Sequence, residues 1–139
     1  MWQMTFSIQP VAKARARVTS RGAFTPRATA EFERSIRLLA RMRAPKTPIA
    51  CPLRIAIVFW LPKPKRTKHH CPAVRPDLDN YLKAVMDALN GIVWVDDGQI
   101  CEITAGKYYC ESGKSGSIFI QVSELEKGTP NVLQPSQSK

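Results

Sequence analysis

Arg75-Pro76-Asp77-Leu78-Asp79-Asn80-Tyr81-Leu82-Lys83 is the stretch on which the reading of this 139-residue chain turns. Pro76 biases Arg75 towards an extended backbone. From about Asp77 or Asp79 the pattern changes: Leu78, Leu82, Val85, Met86 and Leu89 recur at helical spacing, and Asn90-Gly91 supplies a C-terminal stop. If the chain stays extended through Asp79, the carboxylates of Asp77 and Asp79 point one way and Leu78 points into the core. Asp79 can then serve as the N-cap of the helix, with Lys83 one turn further along the same face. A second acidic pair, Asp96-Asp97, follows Trp94-Val95 and precedes Gly98.

These four aspartates belong to a chain with only 11 acidic residues against 21 basic ones, for a net charge of +10. Carboxylates grouped in this way offer oxygen-only ligands, which suit magnesium or manganese and not zinc. A basic protein that holds a hard cation points to phosphate-backbone chemistry. Each feature also has a plain structural explanation. Asp77 and Asp79 fit a helix start, and Asp79 with Lys83 fits an i,i+4 ion pair worth about 0.3–0.5 kcal/mol. Asp96-Asp97-Gly98 fits a turn. Composition and spacing leave the two explanations level.

Working outward, Pro62 to Pro76 is a basic loop without apolar periodicity or acidic residues. Lys63, Lys65, Arg66, Lys68 and Arg75 lie in it and lead straight into the aspartates, as a cationic arm that draws in a phosphate backbone. Before it, Leu53 to Leu61 alternates with a second, largely apolar set, which predicts a strand inside the sheet and covered on both sides. Thr25-Pro26 predicts a helix start, with Thr25 as N-cap, for a helix running to about Arg43. Phe32, Ile36 and Leu39 face its core side. Arg34, Arg37 and Arg41 lie opposite, as a solvated face or a nucleic-acid contact, the solvated face being favoured.

Trp2 to Ile8 alternates as a half-buried strand. Lys13, Arg15 and Arg17 then alternate with small residues, so an extended segment sets three cations on one face. That is either a phosphate-tracking rail or a solvated edge protected by charge. After the central helix, Ile92 to Val95 predicts a short strand and Gln99 to Tyr109 the next. Ser112 to Gly116 predicts a hairpin loop and Ser117 to Val122 the last strand. The expected fold class is α+β: a single domain over residues 1–126, a mixed β-sheet with two main helices in the order β-α-β-α-β-β-β, and the last strands in a meander. Residues 127–139, rich in Gly, Pro, Ser and Gln, are expected to form a disordered tail.

No apolar run of about 18 residues is present, and the N-terminus lacks the pattern of a signal peptide, so a cytoplasmic protein without a membrane partner is expected. The four cysteines make no C-x-x-C pair and are expected as free thiols. His69, His70 and Cys71 with Cys101 and Cys110 match no common zinc spacing. No arrangement for a Ser-His-Asp nucleophile can be inferred.

The run Asp77-Leu78-Asp79-Asn80 with Lys83 and Asp87-Ala88-Leu89, followed by Trp94-Val95-Asp96-Asp97-Gly98-Gln99-Ile100, resembles the RusA family of Holliday junction resolvases. The resemblance extends from the first strand to about Val122. It implies a magnesium-dependent endodeoxyribonuclease of DNA recombination and repair, with manganese as a substitute ion. It places the essential acids, as metal ligands, on Asp77, Asp79 and Asp97, and a catalytic lysine on Lys83. It further implies a homodimer with both active sites on one face, acting on branched DNA, namely a four-way junction. The competing expectation is a non-catalytic basic DNA-binding protein, or a related nuclease acting on other branched nucleic acids.

Overall fold

The structure, a computed structural model, describes residues 1–14 and 17–127. Of Arg17 only the backbone is described; Arg15 and the expected tail beyond residue 127 lie outside the described residues. The chain forms β1 (Trp2–Phe6), β2 (Arg17–Thr19), β3 (Gly22–Phe24), α1 (Arg27–Arg41), β4 (Leu53–Leu61), α2 (Leu78–Leu89), a single 3-10 turn (Asp97–Gln99), β5 (Ile100–Tyr109) and β6 (Ser117–Glu124). A four-stranded mixed sheet carries two helices, so the fold is α+β. No helix among the described residues is long and apolar enough to cross a membrane, and the cysteines are free thiols.

The helices form where apolar spacing dictates. Phe32, Ile36 and Ala40 of α1, and Tyr81, Ala84, Val85, Ala88 and Leu89 of α2, are buried in one core. The opposite wall of that core comes from alternate sheet residues: Met4 and Phe6 of β1, Leu53 to Phe59 of β4, and Ile118, Ile120 and Val122 of β6. Tyr81 meets Phe59 with ring centroids 5.6 Å apart, pinning α2 to the centre of the sheet. Helix α1 stops at Arg41, short of Arg43, and its N-cap is Pro26, not Thr25. Helix α2 starts at Leu78 with Asp77 as N-cap, so Asp79 sits inside the first turn and not at the cap. Period-two geometry therefore fails between Asp77 and Asp79, although Leu78 does pack against the core.

Strand order differs from the expected meander. The sheet runs β1-β6-β4-β5, with β5 parallel to β4 and β6 antiparallel to it. The β5–β6 connection is thus no hairpin. It passes the end of β4, where Cys110 N donates to Leu61 O at 2.9 Å. The most apolar strand takes the centre, and β5, with exposed Cys101, Ile103 and Thr104, takes an edge. Strand β4 is covered on one face only. Ala56 and Val58 are half-buried and Trp60 is exposed on the other, where Trp60 meets Tyr108 at 5.6 Å between centroids.

Two local corrections bear on the site. Ile92–Val95 is a turn, not a strand. Val93 and Trp94 are both buried, and two adjacent inward side chains contradict period-two alternation. Gly91, at φ +81°, lets the chain reverse just after α2, and Gly91 N donates to Trp94 O at 2.8 Å. Arg17–Thr19 pairs with Gly22–Phe24 in a small separate hairpin. The segment before it turns Lys13 inward, onto Glu33 and Asp87, and not outward as a rail requires.

Candidate active site

The sequence-read site residues separate into two groups at the two ends of α2. Asp77, Asp79 and Lys83 belong to the N-terminal end. Asp77 and Asp79 are exposed, and neither has an ion pair among the described residues. The Asp77 carboxylate makes no capping bond, so its oxygens are left open to a ligand. Lys83 is exposed one turn beyond Asp79, again without an ion pair among the described residues. The i,i+4 ion pair that the spacing of Asp79 and Lys83 allows is therefore not made. An open cleft of about 650 Å³ is lined here by Arg75, Pro76, Asp77 and Asn80.

The backbone of this end is held from two sides. Lys107, on β5, donates from Nζ to Val74 O at 2.7 Å and to Pro76 O at 2.9 Å. It fixes the carbonyls on both sides of Arg75, immediately before Asp77. Lys13 N donates to Asn80 O at 2.8 Å and fixes the first turn. The basic loop 62–76 has neither helix nor strand, and Lys63, Lys65, Arg66, Lys68 and Arg75 are all exposed along it. His69 and His70 are exposed as well.

Asp97 lies at the other end. Its backbone N–H donates to Asn90 Oδ1 at 2.8 Å, and its Oδ1 accepts the indole N–H of the fully buried Trp94 at 2.8 Å. From Asp79 to Asn90 the helix rises by about 16 Å at 1.5 Å per residue. The turn carrying Asp97 is closed by a capping box. Asp96 Oδ2 accepts Gly98 N at 2.9 Å, and Gln99 Oε1 accepts Asp96 N at 2.7 Å. A Cβ on Gly98 would stand 2.8 Å from Asp96 Oδ2, so a side chain there would push the cap apart. Gln99 Nε2 donates to Ile49 O at 2.7 Å and Cys51 O at 2.9 Å, tying the turn to the connector before β4.

Partial burial pushes the Asp97 carboxyl above the usual carboxylate range. The Trp94 indole opposes that shift, and the charges of Asp87 and Asp96 add to it. Asp87 is held by Lys13 Nζ at 3.1 Å, and the same ammonium pairs with the buried Glu33. Desolvation lowers the Lys13 pKa, but the hydrogen bonds to Glu33 and Asp87 outweigh it and leave the pKa raised. Lys13 is thus an inward-facing structural cation. Of the other basic residues read from the sequence as nucleic-acid contacts, Arg15 is outside the described residues and the side chain of Arg17 is not described.

Both ends present carboxylate oxygens, the donor chemistry of a hard cation. Among the described residues Asp97 Oδ2 has no hydrogen bond or ion pair, and a cation beside it would relieve the pressure of Asp87 and Asp96. Among the described residues, however, no three His, Cys, Asp or Glu side chains stand together as a metal-holding group. Sequence reasoning missed the residues that position the acids. In the sequence Asn90 signals only a helix stop. Trp94 and Gln99 stood in the motif without a role, and nothing in the spacing pointed to Lys107.

A family model described as "Endodeoxyribonuclease RusA" matches residues 7–123. A relative in Bacillus subtilis (strain 168), named "Uncharacterized protein YqaN", is 28% identical over 131 residues, covering 83% of this chain and 92% of its own length. With a match over residues 7–123 that takes in both helices, β4, β5 and both ends of α2, the chain belongs to the RusA endodeoxyribonuclease family.

Proposed function

We propose that the chain is a structure-selective, magnesium-dependent endodeoxyribonuclease that resolves four-way DNA junctions by paired phosphodiester hydrolysis, acting as a cytoplasmic homodimer. The observation that carries this reading is the state of Asp77 and Asp79. In a chain of net charge +10 they stay exposed and unpaired among the described residues, at a helix N-terminus that follows directly on a loop of exposed cations. A folded basic protein has ample cations to neutralise them, and leaves them open.

The separation of Asp97 supports a shared site. A dimer with two-fold symmetry, its axis set across the middle of α2 and β5, exchanges the two ends of these elements. One protomer's Asp97 then approaches its partner's Asp77 and Asp79, and two equivalent sites arise. Exposed Ile103, Trp60 and Tyr108 on and beside the β5 edge give such a dimer apolar surface to bury. A four-way junction has the matching two-fold symmetry.

In this reading Asp77, Asp79 and the partner's Asp97 hold the ion, for which manganese would substitute. When bound, magnesium supplies Lewis-acid polarisation of a phosphoryl oxygen and a more acidic water. The Lys83 ammonium offers charge to the phosphate as negative charge grows in the transition state. Arg75 and the loop lysines attract and orient the backbone. Recognition rests on junction shape and charge more than on base contacts.

Cleavage of a synthetic four-way junction with magnesium, beside duplex, flap and single-stranded controls, tests the reading. Paired nicking of the junction is expected. Asp79→Asn should abolish cutting while leaving binding intact or tighter, because a negative charge near phosphate is removed. A second reading, a non-catalytic DNA-binding protein, is favoured by the absence of a three-acid group within the described residues of one protomer. It predicts no cutting with any divalent ion and steeply salt-dependent binding.

A further inference from the structure

Helix α1 carries Arg34, Arg37 and Arg41 on one stripe. From spacing alone, a solvated face or a nucleic-acid contact accounts for it, the solvated face being favoured. The structure separates them by showing where the stripe begins. Arg37 Nη2 donates to Asp87 O at 3.3 Å and lies 3.8 Å from Glu33 Oε2. Asp87 stands in the last turn of α2, three residues before Asn90, which holds the Asp97 N–H. The middle of the stripe, at Arg37, therefore touches the C-terminal end of α2, where Asp97 is held.

Beside it runs a groove of about 350 Å³, lined by Thr25, Glu33, Arg34, Arg37, Leu38 and Arg41. Its one acid, Glu33, is already neutralised by Lys13 and Arg37. Arg34 and Arg41 are exposed and have no carboxylate partner among the described residues. A free guanidinium offers a planar fork that matches phosphate. Arg34 to Arg41 spans about 10 Å of helix, near the axial rise of three nucleotides in one strand.

We propose that this groove carries the phosphate backbone of a DNA arm leading away from the Asp97 end of the site. The inference rests on the nuclease reading and adds to it the path of the arm. It also moves the phosphate track from Lys13, which is spent on Glu33 and Asp87, to α1.

The test is fluorescence anisotropy of a labelled four-way junction with the full chain in EDTA, where cutting plays no part. Three proteins are compared: wild type, Arg34→Gln with Arg41→Gln, and Lys46→Gln with Lys127→Gln. The last pair removes the same charge from exposed positions that do not line the groove. The arginine double variant should bind roughly tenfold more weakly at 0.1 M salt, with a salt slope shallower by about 1.8, or about 0.9 per lost phosphate contact. The lysine double variant should stay near wild type. Circular dichroism and melting confirm that each variant folds. An unchanged affinity and slope in the arginine variant overturns the groove, as does an equal loss in both variants. Specific loss in the arginine variant, with no nicking by wild type in magnesium, supports the groove and removes the nuclease reading instead. A wild type that binds no DNA overturns both.

Discussion

The two ends of α2 carry the same kind of residue in opposite states. At the N-terminal end Asp77 and Asp79 have exposed side chains without ion pairs among the described residues, and order comes from the backbone beneath them. At the C-terminal end Asp97 is gripped directly, by Trp94 on its carboxylate and by Asn90 on its N–H. The first arrangement leaves oxygens free to accept a ligand. The second fixes one oxygen and leaves the other against two like charges. An acidic motif does not by itself tell which carboxylates are prepared in advance and which are left open.

The largest effect should come from breaking the grip on Asp97. Trp94→Ala removes a fully buried indole and should destabilise the fold by about 3–5 kcal/mol in denaturant titration. Trp94→Phe keeps most of the packing and loses the N–H bond. It should cost only about 1–2 kcal/mol and still reduce cleavage, which separates positioning from packing. Next is Lys13→Ala, which leaves half-buried Asp87 without its cation and buried Glu33 with Arg37 alone, 3.8 Å away. A loss of about 2–3 kcal/mol is expected, below the full value for a buried pair because Lys13 is partly exposed. At the N-terminal end, Lys107→Met releases two carbonyls before Asp77 and should cost about 1–2 kcal/mol. It should weaken manganese binding, measured calorimetrically, with partial rescue by Lys107→Arg.

The smallest effect compares the two ends most closely. Asp97 has a raised pKa when folded, so its ionised form costs stability at neutral pH, and that cost fades as pH falls through the folded pKa. Asp97→Asn keeps an oxygen for the Trp94 indole and removes the charge. It should raise the melting temperature slightly, by about 1–2 °C at pH 7. Asp77→Asn, at an exposed position, should leave it unchanged.

The sequence made much of this legible, and the limits have physical causes. The apolar spacing of α1, α2 and β4 located those elements, because one buried face per element is enough to set a period. The D-L-D-N and W-V-D-D runs carried the family. The strand order was not legible, because β5 and β6 pair with β4 and not with each other, and alternation says nothing about neighbours. Ile92–Val95 looked like a strand because the stretch is apolar, yet Val93 and Trp94 both turn inward. The inward turn of Lys13 depends on Glu33 and Asp87, which are far away in sequence. The distance between Asp97 and Asp79 depends on α2 running straight between them, which no motif spacing records.

The shared site is tested most directly by mixing two inactive variants. Asp79→Asn and Asp97→Asn homodimers should each fail to cut a four-way junction in magnesium. If each site draws Asp77 and Asp79 from one protomer and Asp97 from its partner, a mixed dimer of the two variants contains one intact site. Mixing them in equal amounts, with exchange of subunits verified by mass, should restore nicking at about one quarter of wild-type site occupancy. Mixed dimers that form and show no nicking would contradict the shared site.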